Sequence, residues 1–230
     1  MRNSLMLKVF TIAAIMLIGI ESAGAVDKTF KKADRQVYFG GGLTYNSIGG
    51  DFADQGGLFS TYEAILVPEI NSGFGFGLTA GFSGKMSPKF DFAIEASFSM
   101  SSHDYDFDLL DLQDDATAMF FDFNFKGIYS PQMIQPYLLL GISAPYIKVK
   151  DAASSSTRVE DARFTGIGVN LGGGMDLYIS PVVFLDVNLM YRVEHISNVE
   201  GVGDKMEIPG GLDAGTLSIS ASLMYAIPLK

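Results

Sequence analysis

The sequence predicts an all-β protein, an eight-stranded antiparallel up-and-down transmembrane β-barrel. Several long stretches alternate apolar and polar residues with a period of two, and each approaches the roughly 9–11 residues that a membrane-spanning strand needs. Short turns alternate with long polar loops between these stretches, which is the connection pattern of such barrels. No apolar run reaches the roughly 18 residues of a membrane-spanning helix, so the strands must cross the bilayer.

The first 25 residues have the features of a secretory signal peptide. Arg2 and Lys8 precede the apolar run 9–20, and Ser22-Ala23-Gly24-Ala25 supplies small residues for cleavage. Residues 26–35 are then a short periplasmic lead-in, and residues 36–230 form the barrel domain. The chain has no Cys, so a disulfide framework is excluded.

The charge of the chain limits its partners. Its formal net charge of −10 becomes −11 when the signal peptide, with Arg2, Lys8 and Glu21, is removed. Nucleic acid requires a basic surface, so it is excluded as a partner. Nothing in the sequence indicates a cofactor. The expected partners are outer-membrane lipids and lipopolysaccharide, with divalent cations bridging the anionic surfaces.

The clearest strand pair is the segment 164–197, which predicts a long β-hairpin around the turn Ser180-Pro181. Its lipid-facing row is apolar, whereas its inner row holds glycine, amides and charged groups, including Asp176, Asp186, Arg192 and Glu194. The other predicted strands are 36–45, 73–85, about 91–100, about 119–126, 136–148 and about 216–225. Within the fifth strand, Pro145 is expected to mark a bulge or the end of pairing.

Four long polar loops are predicted at 46–72, 102–117, 151–162 and 198–214, with the apolar patch Ile65-Leu66-Val67 on the barrel rim. Short turns contain Ser87-Pro88, Ser130-Pro131 and Ser180-Pro181. Because short turns lie at the periplasmic end, both termini are expected in the periplasm and the long loops outside the cell. The mature chain resembles the small outer-membrane β-barrel superfamily of Gram-negative bacteria, on its glycine-alternating strands and the segments 135–141 and 172–176. That resemblance implies the cell outer membrane as the location.

The lumen of the predicted barrel is strongly polar. Seven charged residues lie on inner rows: Glu95, Asp122, Lys126, Asp176, Asp186, Arg192 and Glu194. Since side chains fill an eight-stranded barrel, these residues are expected to form an internal salt-bridge and hydrogen-bond network. A narrow gated pore remains the alternative interpretation.

Acidic residues cluster in the second predicted loop. Asp104, Asp106 and Asp108 alternate as at the start of a calcium loop, but Leu109 stands where a helix–loop–helix site needs Gly. The cluster is interpreted as a solvated extracellular hairpin extension, with loose binding of Mg²⁺ or Ca²⁺ as the alternative.

The outer end of the seventh strand is the one position where the sequence suggests a catalytic site. By alternation, His195 and Ser197 share the lipid-facing row and could form a base–nucleophile pair, with Asp213 or Glu207 orienting the imidazole. About the last 40 residues resemble the lipid A 3-O-deacylase family, whose His-x-Ser-Asn motif matches His195 to Asn198. The loop before the last strand is longer here, and Asp213 stands where that family has Glu.

Two functions from different classes follow. The first is a non-enzymatic structural or interaction barrel, predicted to be a monomer, with acidic extracellular loops and a filled lumen. The second, which the resemblance implies, is an ester hydrolase of lipid A that uses Ser197, His195 and Asp213, or Glu207 as the acid. A narrow porin ranks third. If the protein is not an enzyme, His195 and Ser197 are interpreted as polar residues at the membrane interface.

Overall fold

The structure is a computed structural model that describes residues 32–53, 56–59, 64–107, 112–130, 133–154, 158–201 and 205–229. The predicted signal peptide and residues 26–31 lie outside this range. The elements are β1 (Arg35–Gly50), a 3-10 turn (Asp51–Ala53), β2 (Gly56–Phe59), β3 (Ala64–Val67), β4 (Glu69–Ile70), β5 (Gly73–Lys85), β6 (Phe90–Phe107), β7 (Leu112–Tyr129), β8 (Ile134–Ser154), β9 (Val159–Ser180), β10 (Val183–Glu200) and β11 (Met206–Pro228). None of the described residues belongs to a helix long and apolar enough to cross a membrane.

Eight of the strands form a closed antiparallel ring. Going round the ring the order is β1, β5, β6, β7, β8, β9, β10 and β11. β11 pairs with β1 from Gln36–Pro228 to Gly50–Ala214, so the last strand meets the first. The predicted eight-stranded up-and-down barrel is confirmed. Closure leaves no unpaired strand edge, which lipid would not tolerate.

The two faces of the wall differ as the alternation predicts. Outward-facing Leu43, Phe74 and Leu138 are 74%, 74% and 75% exposed, and similar apolar side chains surround the barrel. Such a continuous apolar belt is not compatible with water, because soluble proteins rarely expose patches above a few hundred Å². Aromatic pairs lie across neighbouring strands near both borders of the belt, Tyr45–Phe74 at 4.9 Å and Phe90–Tyr129 at 5.4 Å between ring centroids.

The strands continue beyond the membrane, and this corrects the predicted loops. The segments assigned to the loops at 102–117, 151–162 and 198–214 lie largely in β6 to β11. Most of their outward residues are polar, whereas inward residues such as Tyr105, Ala162 and Val199 are buried. Outside the bilayer the outer wall faces water, so the pattern of polar outside and apolar inside is that of an ordinary water-exposed sheet.

Pro145 does not end pairing. Residues beyond it, Tyr146 and Ile147, still pair with β9 in the register that Ser143 sets. The irregularity comes later, between Val149 and Ala153, where the register of β8 against β9 shifts. Asp151 lies inside this bulge with a φ of 53°, and its backbone N–H donates to the Asp161 carboxylate at 3.2 Å.

The described residues between β1 and β5 form a cap over the mouth of the barrel at the end where the long hairpins lie. β3 pairs with β8 through Ala64–Ser154 and Ile65–Ala153, and β8 lies opposite β1 in the ring. The segment therefore crosses the mouth before it returns to β5. The apolar residues Phe52, Ile65, Val67 and Ile70 are buried there, so the patch 65–67, which β3 attaches to the last residues of β8 at the rim, packs into the mouth.

Two inner-row glycines make room for tyrosines. Gly81 pairs with Tyr38 and Gly174 with Tyr137 across neighbouring strands. A Cβ at Gly81 would come within 2.6 Å of the Tyr38 ring, and one at Gly174 within 2.5 Å of the Tyr137 hydroxyl. Each ring therefore lies against a glycine, and its hydroxyl reaches a buried carboxylate, Glu95 from Tyr38 and Asp186 from Tyr137.

Candidate functional site

The half of the lumen nearer the short turns is organised around one buried lysine. Lys126 Nζ lies 2.7 Å from a Glu95 carboxylate oxygen and 2.6 Å from one of Asp186. It also lies 4.0 Å from the centroid of the Tyr137 ring. The Tyr38 hydroxyl donates to Glu95 and the Tyr137 hydroxyl donates to Asp186, both at 2.7 Å. This group of five residues is called the lysine cluster.

The half of the lumen nearer the long hairpins is organised around a buried arginine. Arg192 donates to both carboxylate oxygens of Asp122, at 3.1 Å and 2.7 Å, and its guanidinium lies 4.4 Å from the Phe120 ring centroid. The Asn170 amide adds donors to Asp122 at 3.2 Å and to Asn124 at 2.9 Å. Planar, two-point pairing of this kind fixes the position of the side chains across the lumen.

All seven charged residues assigned to the lumen are buried, with exposures of 5% or less. The prediction of an internal salt-bridge and hydrogen-bond network is confirmed in its geometry. Asp176 pairs directly across from Asp186, so two carboxylates lie side by side beside one lysine. The Glu194 carboxylate accepts a hydrogen bond from Thr216 at 2.8 Å.

A chain of hydrogen bonds joins the arginine to the end of the barrel where the long hairpins lie. Arg192 donates to Ser218, and Ser218 donates to Asn46. The Asn46 amide donates to Ser101 at 2.8 Å, and Ser101 lies 2.7 Å from His103 Nε2. Sequence reasoning missed His103 because the pattern placed it in a loop, although it continues the inner row of Ser99 and Ser101.

His103 connects this chain to the cap. Its Nδ1 lies 2.8 Å from the Asn71 carbonyl oxygen, at the junction of β4 and β5. A carbonyl oxygen only accepts, so Nδ1 carries the proton and Nε2 accepts from the Ser101 hydroxyl. His103 lies beyond the apolar belt, between the exposed residues Ser102 and Asp104. Burial lowers the pKa of His103 below its ordinary value, against smaller opposing effects from the Asn71 carbonyl and Asp104.

The lowered pKa predicts a loss of stability in mild acid. Below about pH 6.5 the unfolded chain binds a proton at this histidine that the folded barrel does not bind. The free energy of unfolding is therefore expected to be at its full value above that pH and to fall as the pH drops towards the folded-state pKa. Urea titrations of the vesicle-inserted protein between pH 8 and pH 5 measure this, and His103→Gln, which keeps a donor and an acceptor, should lose that part of the pH dependence. An identical profile for both proteins would contradict the assignment.

The outer wall carries the predicted histidine site. His195 on β10 pairs with Asp213 on β11, and His195 Nδ1 lies 3.2 Å from the Asp213 carboxylate. Their side chains are 53% and 88% exposed, just beyond the outward apolar residues Tyr191 and Val193. The Asp213 backbone N–H donates to the Asp51 carboxylate at 2.8 Å, which ties this strand to the start of the cap. Glu207, the alternative acid, pairs with Asn198 instead.

A bulge at Ser197 interrupts the regular pairing of β10 just after Ile196, next to the predicted histidine–serine pair. The pairing of β10 with both β9 and β11 shifts between Ile196 and Asn198, so the inner row passes from Ile196 to Val199. The Ser197 hydroxyl oxygen accepts from the Asn198 amide at 2.8 Å, whereas the partner of His195 is Asp213. That Ser197 and His195 act as a pair stays a prediction.

The wall beside the His195 imidazole contains two glycines. Gly210 and Gly211 have φ angles of 82° and 68°, a region that L-residues with side chains rarely adopt. A Cβ on Gly211 would come within 2.4 Å of His195 Nε2, so the ring lies against the glycine backbone. The extra residues of β11 opposite the bulge thus fold back over the histidine.

The described residues include no group of three or more His, Cys, Asp or Glu side chains placed to hold a metal ion. Asp104 and Asp106 lie in β6 of the extended hairpin, opposite Asp115 and Gln113. The Asp106 carboxylate accepts from the Asn71 amide at 2.8 Å, and Asp108 lies outside the described residues. A divalent-cation site in this region stays a prediction.

Comparison with known proteins decides the family. The sequence model of the outer membrane protein β-barrel domain matches residues 10–226. The chain belongs to this outer membrane β-barrel family. Among curated proteins, no match was found.

Solved structures agree with this fold. The outer membrane protein OprG from Pseudomonas aeruginosa is similar with 14% identity and a TM-score of 0.54, over 86% of this chain and 98% of that chain. A major outer membrane protein from Thermus thermophilus is similar with 12% identity and a TM-score of 0.51, over 83% of this chain and 99% of that chain. At these identities the likeness shows the barrel fold alone.

Proposed function

We propose that this outer membrane β-barrel is a non-conducting structural or interaction protein, which presents its long acidic hairpins to the exterior and its short turns to the periplasm. The observation that carries the proposal is the filled interior. The lysine cluster and the Arg192–Asp122 pair occupy the lumen at two levels, and the buried cap residues Phe52, Ile65, Val67 and Ile70 occupy the mouth.

The described hairpins support the proposed orientation. On their outer wall, acidic side chains pair with cations, as in Lys148–Asp161 at 2.6 Å and Lys150–Asp114 at 3.0 Å. The hydrogen bond from the Asp115 backbone N–H lowers the pKa of Asp114, and the contact with Lys150 lowers that pKa further. The same contact raises the pKa of Lys150. Acids still outnumber bases in the whole chain, 26 to 16. An anionic surface of this kind would meet lipopolysaccharide through divalent cations, and a monomer is sufficient for it.

A conductance measurement tests the closed lumen. Wild-type protein inserted in a planar bilayer is expected to give no steady ion conductance, because neither level of the lumen leaves an aqueous path. Insertion is verified by the slower gel mobility of the unheated protein compared with the heated one. Reproducible single-channel steps from verified protein would contradict the proposal and favour the narrow porin.

A second function, an ester hydrolase of outer-leaflet lipid A, is favoured by the contact between His195 and Asp213. A carboxylate on Nδ1 orients an imidazole for proton transfer at Nε2, and the site lies on the outside wall at the border of the apolar belt. Ser197, two residues along the same strand, would be the nucleophile, but its hydroxyl would have to leave Asn198 and reach His195 Nε2.

Mass spectrometry of lipid A from cells that express the protein tests this second function. If the hydrolase is correct, wild type should remove an acyl chain, and His195→Ala or Ser197→Ala should reduce removal by at least a hundredfold. Glu207→Gln serves as the matched control and should leave removal unchanged. An unaltered acyl pattern with well-folded wild type would exclude the hydrolase and leave the structural function standing.

A further inference from the structure

At the short-turn end of the barrel, a cavity of about 750 Å³ opens where β1 begins between the ends of β5 and β11. Its lining includes Asp34, Arg35, Lys85, Met86 and Leu229. Two backbone hydrogen bonds fix its floor: the Lys85 N–H donates to the Asp34 carbonyl and the Leu229 N–H donates to the Arg35 carbonyl, both at 2.9 Å. The cavity is therefore built on paired backbone.

The cavity continues into the apolar belt. Arg35, Val37 and Phe39 follow one another on the outward row of β1, and all three are exposed. Val37 pairs with Phe82 on one side and Ile227 on the other, so an apolar surface runs directly from the cavity along the wall. A charged group at the end of an apolar surface is the arrangement that fits one molecule with a polar head and a hydrocarbon tail.

The charge around the cavity is positive, although the whole protein is strongly acidic. Lys85 pairs with Asp34 at 3.3 Å, and Lys89 is exposed in the adjacent turn. In the described part of the chain, the salt bridges include none for Arg35. The nearby carboxylate of Asp91 faces the interior and pairs with Lys32 at 3.2 Å. Among the described residues, the cations Arg35 and Lys85 and the carboxylate Asp34 line the cavity, and Lys89 adds a third cation in the adjacent turn.

We propose that this cavity binds the headgroup phosphate of an anionic glycerophospholipid, with the Arg35 guanidinium as its main contact and the surface around Val37 and Ile227 against an acyl chain. Guanidinium groups recognise phosphate oxygens through paired, charge-assisted hydrogen bonds. Lys85 and Lys89 add positive potential, which distinguishes an anionic lipid from a zwitterionic one. The assignment to the periplasmic leaflet rests on the orientation proposed above.

Native mass spectrometry of the detergent-solubilised full-length protein tests the site with two lipids of equal acyl chains, phosphatidylglycerol and phosphatidylcholine. Wild type is expected to retain phosphatidylglycerol at least fivefold better than phosphatidylcholine, Arg35→Gln to lose that preference, and Arg35→Lys, which keeps the charge without the paired hydrogen bonds, to keep only part of it. Lys148→Gln, an exposed cation at the other end of the barrel, is the matched control. Equal retention of both lipids by wild type, or unchanged preference in Arg35→Gln, would overturn the proposal.

The orientation is tested separately, because lipid binding in detergent does not depend on it. Since the chain has no native Cys, Pro88→Cys and Glu200→Cys each introduce a single exposed thiol at opposite ends of the barrel. In intact cells a membrane-impermeant maleimide should label the cysteine at position 200 and not that at position 88. The reverse labelling would overturn the leaflet and the proposed orientation, even if Arg35 controls lipid binding.

Discussion

Lys126→Met is expected to destabilise the barrel by about 3–5 kcal/mol, the usual cost of leaving buried charges without their partner. Methionine has a similar length and no charge, so the substitution removes the cation and leaves Glu95 and Asp186 facing one another in a closed interior. The lysine side chain is only 2% exposed, so water cannot replace the lost ammonium group. The measurement is the urea concentration at which half of the vesicle-inserted protein unfolds, followed by gel mobility.

The controls separate loss of charge compensation from loss of packing. Lys148→Met removes a cation whose side chain is 41% exposed in its pair with Asp161, and exposed pairs contribute at most about 1 kcal/mol. Combining Lys126→Met with Glu95→Gln and Asp186→Asn should recover part of the lost stability, because Asp176, opposite position 186, is then the one carboxylate left at this level of the described lumen. If Lys126→Met behaves like Lys148→Met, the lumen is hydrated rather than filled.

Leu140→Arg is expected to destabilise the membrane-inserted barrel by about 2–4 kcal/mol, the cost of a cation near the middle of a bilayer. Leu140 is 63% exposed on the outward row of β8. In a water-soluble protein, an arginine at so exposed a position would have almost no effect on stability. The size of the effect therefore measures whether this face contacts hydrocarbon.

The matched control for Leu140→Arg is on the same row of the same strand. Tyr146 lies between Ala144 and Lys148 on that row, where the wall leaves the apolar belt, so Tyr146→Arg should cost only about 0–1 kcal/mol. Refolding into vesicles under a urea gradient compares the two variants with wild type. Equal costs at both positions would contradict the proposed boundary of the membrane.

The strand count and the inner and outer rows could be predicted because both depend on local alternation. Side chains in a strand point alternately to the two faces, so Asp122, Lys126 and Arg192 could each be placed in the lumen from their nearest neighbours alone. The partners within the lumen could not be predicted. Lys126 and Asp186 are 60 residues apart, and closure of the ring brings them together.

The ends of the strands were predicted poorly because each strand passes from lipid into water. Within the membrane, outward residues are apolar, and the pattern is plain. Beyond it, outward residues such as Asp104 and Lys150 are polar, so the extended hairpins resemble loops in the sequence. The inward residues Tyr105 and Ile147 continue the alternation and were the available signal.

The histidine site also shows how far alternation along a single strand can predict a site. Alternation placed His195 correctly on the outer wall, and the structure selects Asp213 as the acid opposite it. The bulge at Ser197 was not predictable, because it depends on the register of β10 against two strands at once. One extra residue in a strand moves every later side chain to the other face.

The sequence by itself determined an exported chain of eight alternating strands, with apolar residues towards lipid and charged residues towards the lumen, because a bilayer imposes this pattern on each strand separately. Only the tertiary structure decided which charges pair, that the buried cap residues Phe52, Ile65, Val67 and Ile70 cover the mouth, and that Arg35 lies beside the ends of β5 and β11. These features join strands that are distant in the chain, and their contacts depend on the register and closure of the whole barrel.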